Sequence, residues 1–174
     1  MKNKSMETRL SQEVLDFIHR RRSLQIASLG EDGIPFASYA PFAIGDNCLY
    51  VLLSDIAIHG VNLSRTPDAS VLIIEDEDSA TELFARIRVN YTVRAQQLAY
   101  EGDEWQTGVD ALAQRHGERP RQLSQLADFR LFRLTPQKGR FVKGFGKAYT
   151  LAGGTLAGRA IEHLRDGHKS RPAA

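Results

Sequence analysis

Cysteine is all but missing from this 174-residue chain, which carries Cys48 alone. One thiol builds neither a disulfide framework nor a cysteine-ligated zinc site. Its setting, the apolar run Cys48-Leu-Tyr-Val-Leu-Leu53, predicts a small buried hydrophobe. Long hydrophobic stretches are missing too, since no segment approaches the roughly 18 apolar residues of a membrane span. The opening MKNKSMETRL is positive but has no apolar core of a signal peptide, so a soluble cytoplasmic protein is expected. Neither HExxH, GxSxG, a P-loop nor GxGxxG occurs, which removes the helical zinc hydrolase, the nucleophile-elbow hydrolase, the NTPase and the dinucleotide-binding enzyme.

What is present suits a globular fold. Hydrophobic residues make up 42% and charged residues 25%, enough for a core without staples, and the length predicts a single domain over 1–174. The net charge of +2 hides a local asymmetry. Glu75, Asp76, Glu77 and Asp78 form an acidic run, whereas from Lys138 onward eight Lys and Arg face only Glu162 and Asp166. That basic last quarter suits an anionic small molecule better than long DNA, so neither a nucleic-acid nor a membrane partner is expected.

Periodicity predicts mainly β structure. Ser11 is placed to cap a helix carrying Val14, Leu15, Phe17 and Ile18. Leu24–Leu29 and Ile34–Ile44 flank the turn Gly30-Glu-Asp-Gly33, and Gly45-Asp-Asn47 leads into Leu49–Leu53, a three-stranded meander. A short helix over His59–Ser64 stops at Pro67, and Val71–Ile74 is a strand. Ser79-Ala-Thr-Glu82 has capping-box spacing, so the acidic run is expected to precede a helix start rather than to hold a metal. Ile87–Leu98 alternates as a half-buried strand, Glu104–Arg115 and Arg119–Leu126 are helical, and Phe129–Leu134 is a strand. Pro136–Gly139 is expected to turn the chain into a last strand, Phe141–Leu151, bent at Gly144 and Gly146. A C-terminal helix from Thr155 and a ligand-bearing tail complete the chain at about 155–174. The fold class expected is mainly β (α+β), a six-stranded antiparallel barrel with peripheral helices.

The five histidines, His19, His59, His116, His163 and His168, include no pair at i,i+4. Single histidines are usually surface or satisfied core residues. His168 differs in its surroundings: Gly167 frees the backbone, and Lys169 and Arg171 supply cations nearby. Heme needs an axial imidazole, positive charge for its propionates and an apolar cover, and one arm offers the first two.

A set of blocks occurs in order: Ala40-Pro-Phe42, Ser54-Asp-Ile-Ala-Ile-His59, Ile74-Glu-Asp-Glu-Asp78, Leu83-Phe-Ala-Arg86, Ser124-Gln-Leu-Ala-Asp-Phe129, Phe141–Tyr149 and Asp166-Gly-His168. Together they resemble the HugZ/HutZ family of heme-utilisation proteins, a branch of the pyridoxamine-5′-phosphate-oxidase-like split β-barrels, over about Leu10 to Arg171. The resemblance implies a homodimer that binds heme between subunits and degrades it oxidatively with a reductant and oxygen or peroxide, releasing iron. It maps the iron ligand onto His168. The carboxylate that hydrogen-bonds this ligand from the other subunit maps onto Asp128. The arginine on the far side of the heme maps onto Arg88, with Arg86 as the alternative. Lys143, Lys169 and Arg171 are the expected cations for the heme carboxylates. A carboxylate on the imidazole N–H fixes the tautomer and strengthens the other nitrogen as a donor, and a guanidinium steadies negative charge developing opposite it. The alternatives are a heme carrier or store without turnover and an FMN-dependent oxidoreductase of the same fold. FMN is disfavoured because Ile56-Ala-Ile-His-Gly60 lacks the cations that flavin relatives place at the phosphate.

Overall fold

The computed structural model describes residues 2–158, 160–164 and 169–172. It contains an antiparallel sheet of nine strands: β1 (Ser23–Leu29), β2 (Pro35–Pro41), β3 (Ala43–Ile44), β4 (Leu49–Ser54), β5 (Asp68–Ile74), β6 (Arg88–Gln97), β7 (Phe129–Gly144), β8 (Lys147–Ala152) and β9 (Ala160–His163). The order is β2-β1-β5-β6-β7-β4-β3, with β8 and β9 continuing from the far half of β7. Only Phe42 separates β2 from β3, so one nearly continuous segment pairs with β1 and then with β4 and curls the sheet on itself. This is the split barrel that the resemblance implies, with nine strands where six were expected, and with four helices, α1 (Lys2–Arg20), α2 (Ile58–Arg65), α3 (Asp103–His116) and α4 (Arg119–Ser124), around it.

Strand alternation fills the interior. Leu24, Ile26, Leu49, Val51, Val71, Ile73, Val89, Tyr91, Phe132 and Leu134 are buried there, and Val14, Phe17 and Ile18 of α1 pack on the same core. A second cluster lies on the outer face, where Trp105, Val109 and Leu112 of α3 cover Tyr50 and Leu131. Cys48 is buried and free in that cluster, and burial pushes its thiol pKa up.

Five local expectations need correction. Phe141–Leu151 is not one bent strand: the chain turns at Phe145-Gly146, where Gly146 takes φ of 68°, so β7 ends at Gly144 and β8 returns antiparallel to it from Lys147. Ser11 caps nothing: α1 begins at Lys2, and the Ser11 hydroxyl donates to the carbonyl of Ala157. No helix starts after the acidic run, where two 3₁₀ turns lie at Glu77–Ser79 and Leu83–Ala85. The acids there meet arginines instead, Asp76 with Arg21 at 3.0 Å and Glu77 with Arg86 at 3.4 Å. Pro136 does not turn the chain. It sits buried inside β7 opposite Val93, at a register shift that leaves Gln137 without a partner on β6. A bulge tolerates the missing proline N–H and lets β7 bend rather than end. The C-terminal helix expected from Thr155 is also absent among the described residues. Gly153 and Gly158 take φ of 90° and 77°, and Ala160–His163 then adds a strand to the open edge of β8.

Candidate functional site at the Ser54–Asp128 end of the barrel

The register of β4 against β7 decides where Asp128 stands. Ser54 ends β4 opposite Phe129, which begins β7, so Asp128 lies one residue before the first paired position. The Ser54 hydroxyl donates to Asp128 Oδ2 at 2.6 Å, and the Asp55 N–H donates to the Asp128 carbonyl at 2.7 Å. The Ser54 Oγ also accepts the N–H of Ile56 at 3.1 Å, which ties the turn into α2 to the same point. Arg130 closes the loop with an ion pair to Asp55 at 2.9 Å. Asp128 is half-buried, and among the described residues its Oδ1 accepts no hydrogen bond. The carboxylate is thus fixed through one oxygen and presents the other.

Sequence reasoning singled out Asp128, and it named Ser54 at the head of a block without giving it a role. The signal was the polar residue that ends an apolar run on the outward-facing phase of β4, after Tyr50 and Leu52.

Arg88 stands at the opposite end. It opens β6 between Ile74 of β5 and Val142 of β7, is half-buried, and donates from Nη1 to the Arg86 carbonyl at 2.9 Å. Arg86, the alternative, is occupied locally by the Glu75 carbonyl and by Glu77. Lys143 lies beside Val142, where it is bonded to Glu13 of α1 at 2.5 Å. Lys169 and Arg171 are exposed and outside regular structure. His168 lies outside the described residues.

The last paired residue among those described, Leu164, donates its N–H to the Ala148 carbonyl, and Ala148 faces Val142, which in turn faces Arg88. Leu164, Lys143 and Arg88 therefore share one end. Asp128 lies beyond the other, where Gln97 faces Phe132. Ten residues of strand, about 30 Å, separate those ends.

On the outer face that carries Ser54, a cavity of about 470 Å³ opens between β2, β4, α3 and α4. Leu52, two positions before Ser54, lines it together with Leu112 and Leu123, and Arg22, His116 and Arg119 border it. His116 is anchored there by donating from Nε2 to the Phe42 carbonyl at 2.8 Å.

Residues 55–60, where flavin relatives carry phosphate-binding cations, offer only His59. Its Nδ1 shares a 2.9 Å hydrogen bond with the Ser38 hydroxyl, and burial holds its pKa below the ordinary value. The nearest arginine on α2, Arg65, is engaged by Asn62 and Glu31. No cluster of three metal-ligating side chains occurs among the described residues, and none of their helices is long and apolar enough to cross a membrane.

Comparison with known proteins agrees with this architecture. The family profile of pyridoxamine 5′-phosphate oxidase matches residues 10–143. The heme oxygenase HutZ of Vibrio cholerae is 40% identical over 169 residues, 97% of this chain and 95% of its own. A crystal structure of HutZ, there called a heme storage protein, superposes with a TM-score of 0.74 at 42% identity, covering 79% of this chain and 96% of that one. ChuZ of Campylobacter jejuni superposes with a TM-score of 0.80 at 28% identity, covering 96% of this chain and 66% of that one. With that identity along nearly its whole length, the chain belongs to the HugZ/HutZ family within the pyridoxamine-5′-phosphate-oxidase-like split barrels.

Proposed function

We propose that the protein is a cytoplasmic homodimer that binds heme between its subunits and degrades it oxidatively, freeing the iron. The iron and macrocycle, with an external reductant and oxygen or peroxide, supply the redox chemistry. The chain's own residues bind and orient. His168 of one subunit is the iron ligand, and Asp128 of the other accepts its imidazole N–H. Arg88 stands on the far side of the heme plane and favours negative charge developing there.

One observation carries the two-subunit arrangement. Four residues from Leu164 to His168 reach at most about 14 Å. The strands that separate Leu164 from the Asp128 of its own chain are about 30 Å long. A single chain does not bring both groups to one iron, whereas a two-fold pair of chains, each offering its Asp128 end to the other's tail, does. The rigid Ser54–Asp128 pair, with one carboxylate oxygen left open, supports an acceptor role for Asp128.

Turnover is favoured over storage by the polar Arg88 opposite the proposed ligand, where a carrier would place a second strong iron ligand. FMN is disfavoured by the cation-poor segment at 55–60. The deciding experiment is a hemin titration of the wild-type protein and His168→Ala, followed by ascorbate in air. A Soret band that saturates in wild type only and then bleaches with iron release is expected. Saturable binding without bleaching would leave a carrier, and flavin retained through purification with no specific hemin binding would overturn the assignment.

A further inference from the structure

The heme carboxylates need cations, and the structure redirects which ones supply them. Lys143, expected from the sequence for this task, is neutralised by Glu13 at 2.5 Å, next to α1. The cavity on the Ser54 face has the opposite balance. Two arginines and a histidine, Arg22, Arg119 and His116, border it, and among the described residues no carboxylate lines it. Each of the four other surface cavities described has at least one Asp or Glu in its wall.

The positive charge is reinforced from behind. Arg115 stacks its guanidinium 5.1 Å from the centre of the Phe42 ring, and burial followed by the field of Arg22 lowers its pKa. Among the described residues the buried Nε of Arg115 has no hydrogen-bond partner, and its Nη2 donates to the His19 and Arg21 carbonyls rather than to a carboxylate. Arg22 and Arg119, which form no ion pair among the described residues, stand over an apolar wall of Leu52, Leu112 and Leu123 and form a receptor for a flat apolar molecule with anionic substituents on one edge. Leu52 in the cavity wall and Ser54, which holds Asp128, point to the same outer face two strand positions apart, about 7 Å, so the cavity and the Asp128 carboxylate share one face of the barrel.

We infer that this cavity takes the propionate edge of the tetrapyrrole, with Arg22 and Arg119 as the carboxylate-binding residues and His116 as a further donor. The subunit that supplies Asp128 thereby also anchors the acid side chains, while the other subunit supplies the iron ligand. This rests on the heme reading above and adds to it a set of binding residues on the other subunit from the ligand.

The test titrates the whole protein with hemin and with hemin dimethyl ester, whose carboxylates are blocked. It compares wild type, Arg22→Gln/Arg119→Gln, His168→Ala and a charge control, Arg94→Gln. Arg22 and Arg119 are exposed, so the double variant is expected to fold, which circular dichroism and melting check. Arg94 is an exposed partner of Asp68 elsewhere on the barrel. The double variant should bind hemin about tenfold or more weakly, with a flatter salt dependence, and bind the dimethyl ester as wild type does. Arg94→Gln should match wild type with both ligands, and His168→Ala should weaken both. Equal loss of the ester in the folded double variant would overturn carboxylate recognition, as would unchanged hemin affinity. If wild type binds hemin with His168→Ala weakened and the double variant unaffected, the heme reading stands and only this inference falls. Absence of saturable hemin binding by wild type would sink both.

Discussion

Ser54 holds Asp128 from two directions: its hydroxyl donates 2.6 Å to Oδ2, and the N–H of the next residue, Asp55, donates 2.7 Å to the Asp128 carbonyl. A residue that only turned the chain would need the second bond and not the first. The first fixes the plane of the carboxylate, which matters when its free oxygen must meet an imidazole N–H at a set angle. Ser54→Ala is therefore expected to retain hemin binding and to lower ascorbate-driven heme loss several-fold. Its cost to stability should be about 1 kcal/mol. A urea melt and the decay of the Soret band measure the two separately. Turnover equal to wild type would reduce the Ser54–Asp128 bond to a purely structural tie.

Gly60 guards the same pair from the other side. A Cβ at this position of α2 would lie 2.2 Å from the Ser54 carbonyl oxygen, which is backbone and has no rotamer to give. Gly60→Ala must push α2 away from the end of β4. We expect a loss of about 1–3 kcal/mol, with the urea midpoint lowered and the slope unchanged. A midpoint equal to wild type would mean that α2 shifts at no cost and that its close approach does not hold Ser54 in place.

How far the sequence revealed these features depended on the range of the interactions. The meander from Leu24 to Leu53 and the strand at Ile87–Leu98 follow from local alternation, which the barrel interior demands of each strand separately. Pro136 and Thr155 were misread because their fates depend on distant partners. A bulge against Val93 lets β7 continue past the proline, and the open edge of β8 recruits Ala160–His163 as a strand. The same reason applies to the site residues. Asp128 and Ser54 each belong to a recognisable block, but the contact between them spans 74 residues and follows only from the β4–β7 register. Lys143 looked like a cation for an anionic ligand until α1 brought Glu13 against it.

His59 gives the fold a dependence on pH. Burial disfavours its charged form, so in the folded protein it titrates below its ordinary value of 6.5. Between that depressed value and 6.5 the unfolded chain binds more protons, so stability rises with pH across this window. The contribution is complete above 6.5 and is lost as the pH falls toward the folded value. Melting temperatures at pH 7.5 and pH 5.5 should accordingly differ more for wild type than for His59→Gln, which keeps a hydrogen-bonding group for Ser38. Identical pH responses would show that burial does not keep the imidazole neutral.

Assigning His168 and Asp128 of one heme site to different subunits makes a prediction that no single substitution can test. In a dimer of His168→Ala with Asp128→Asn, one site receives both defects and the other receives neither. The two inactive homodimers, unfolded and refolded together in equal amounts, should form heterodimers in about half the population. Each heterodimer carries one intact site, so ascorbate-driven heme degradation should return to about a quarter of the wild-type level. Refolding each variant alone should give no such recovery. If His168 and Asp128 of the same chain met at one iron, every site in the mixture would keep a defect and nothing would return. The measured recovery therefore reports which chain supplies the acceptor to the ligand, and it does so without a structure of the complex.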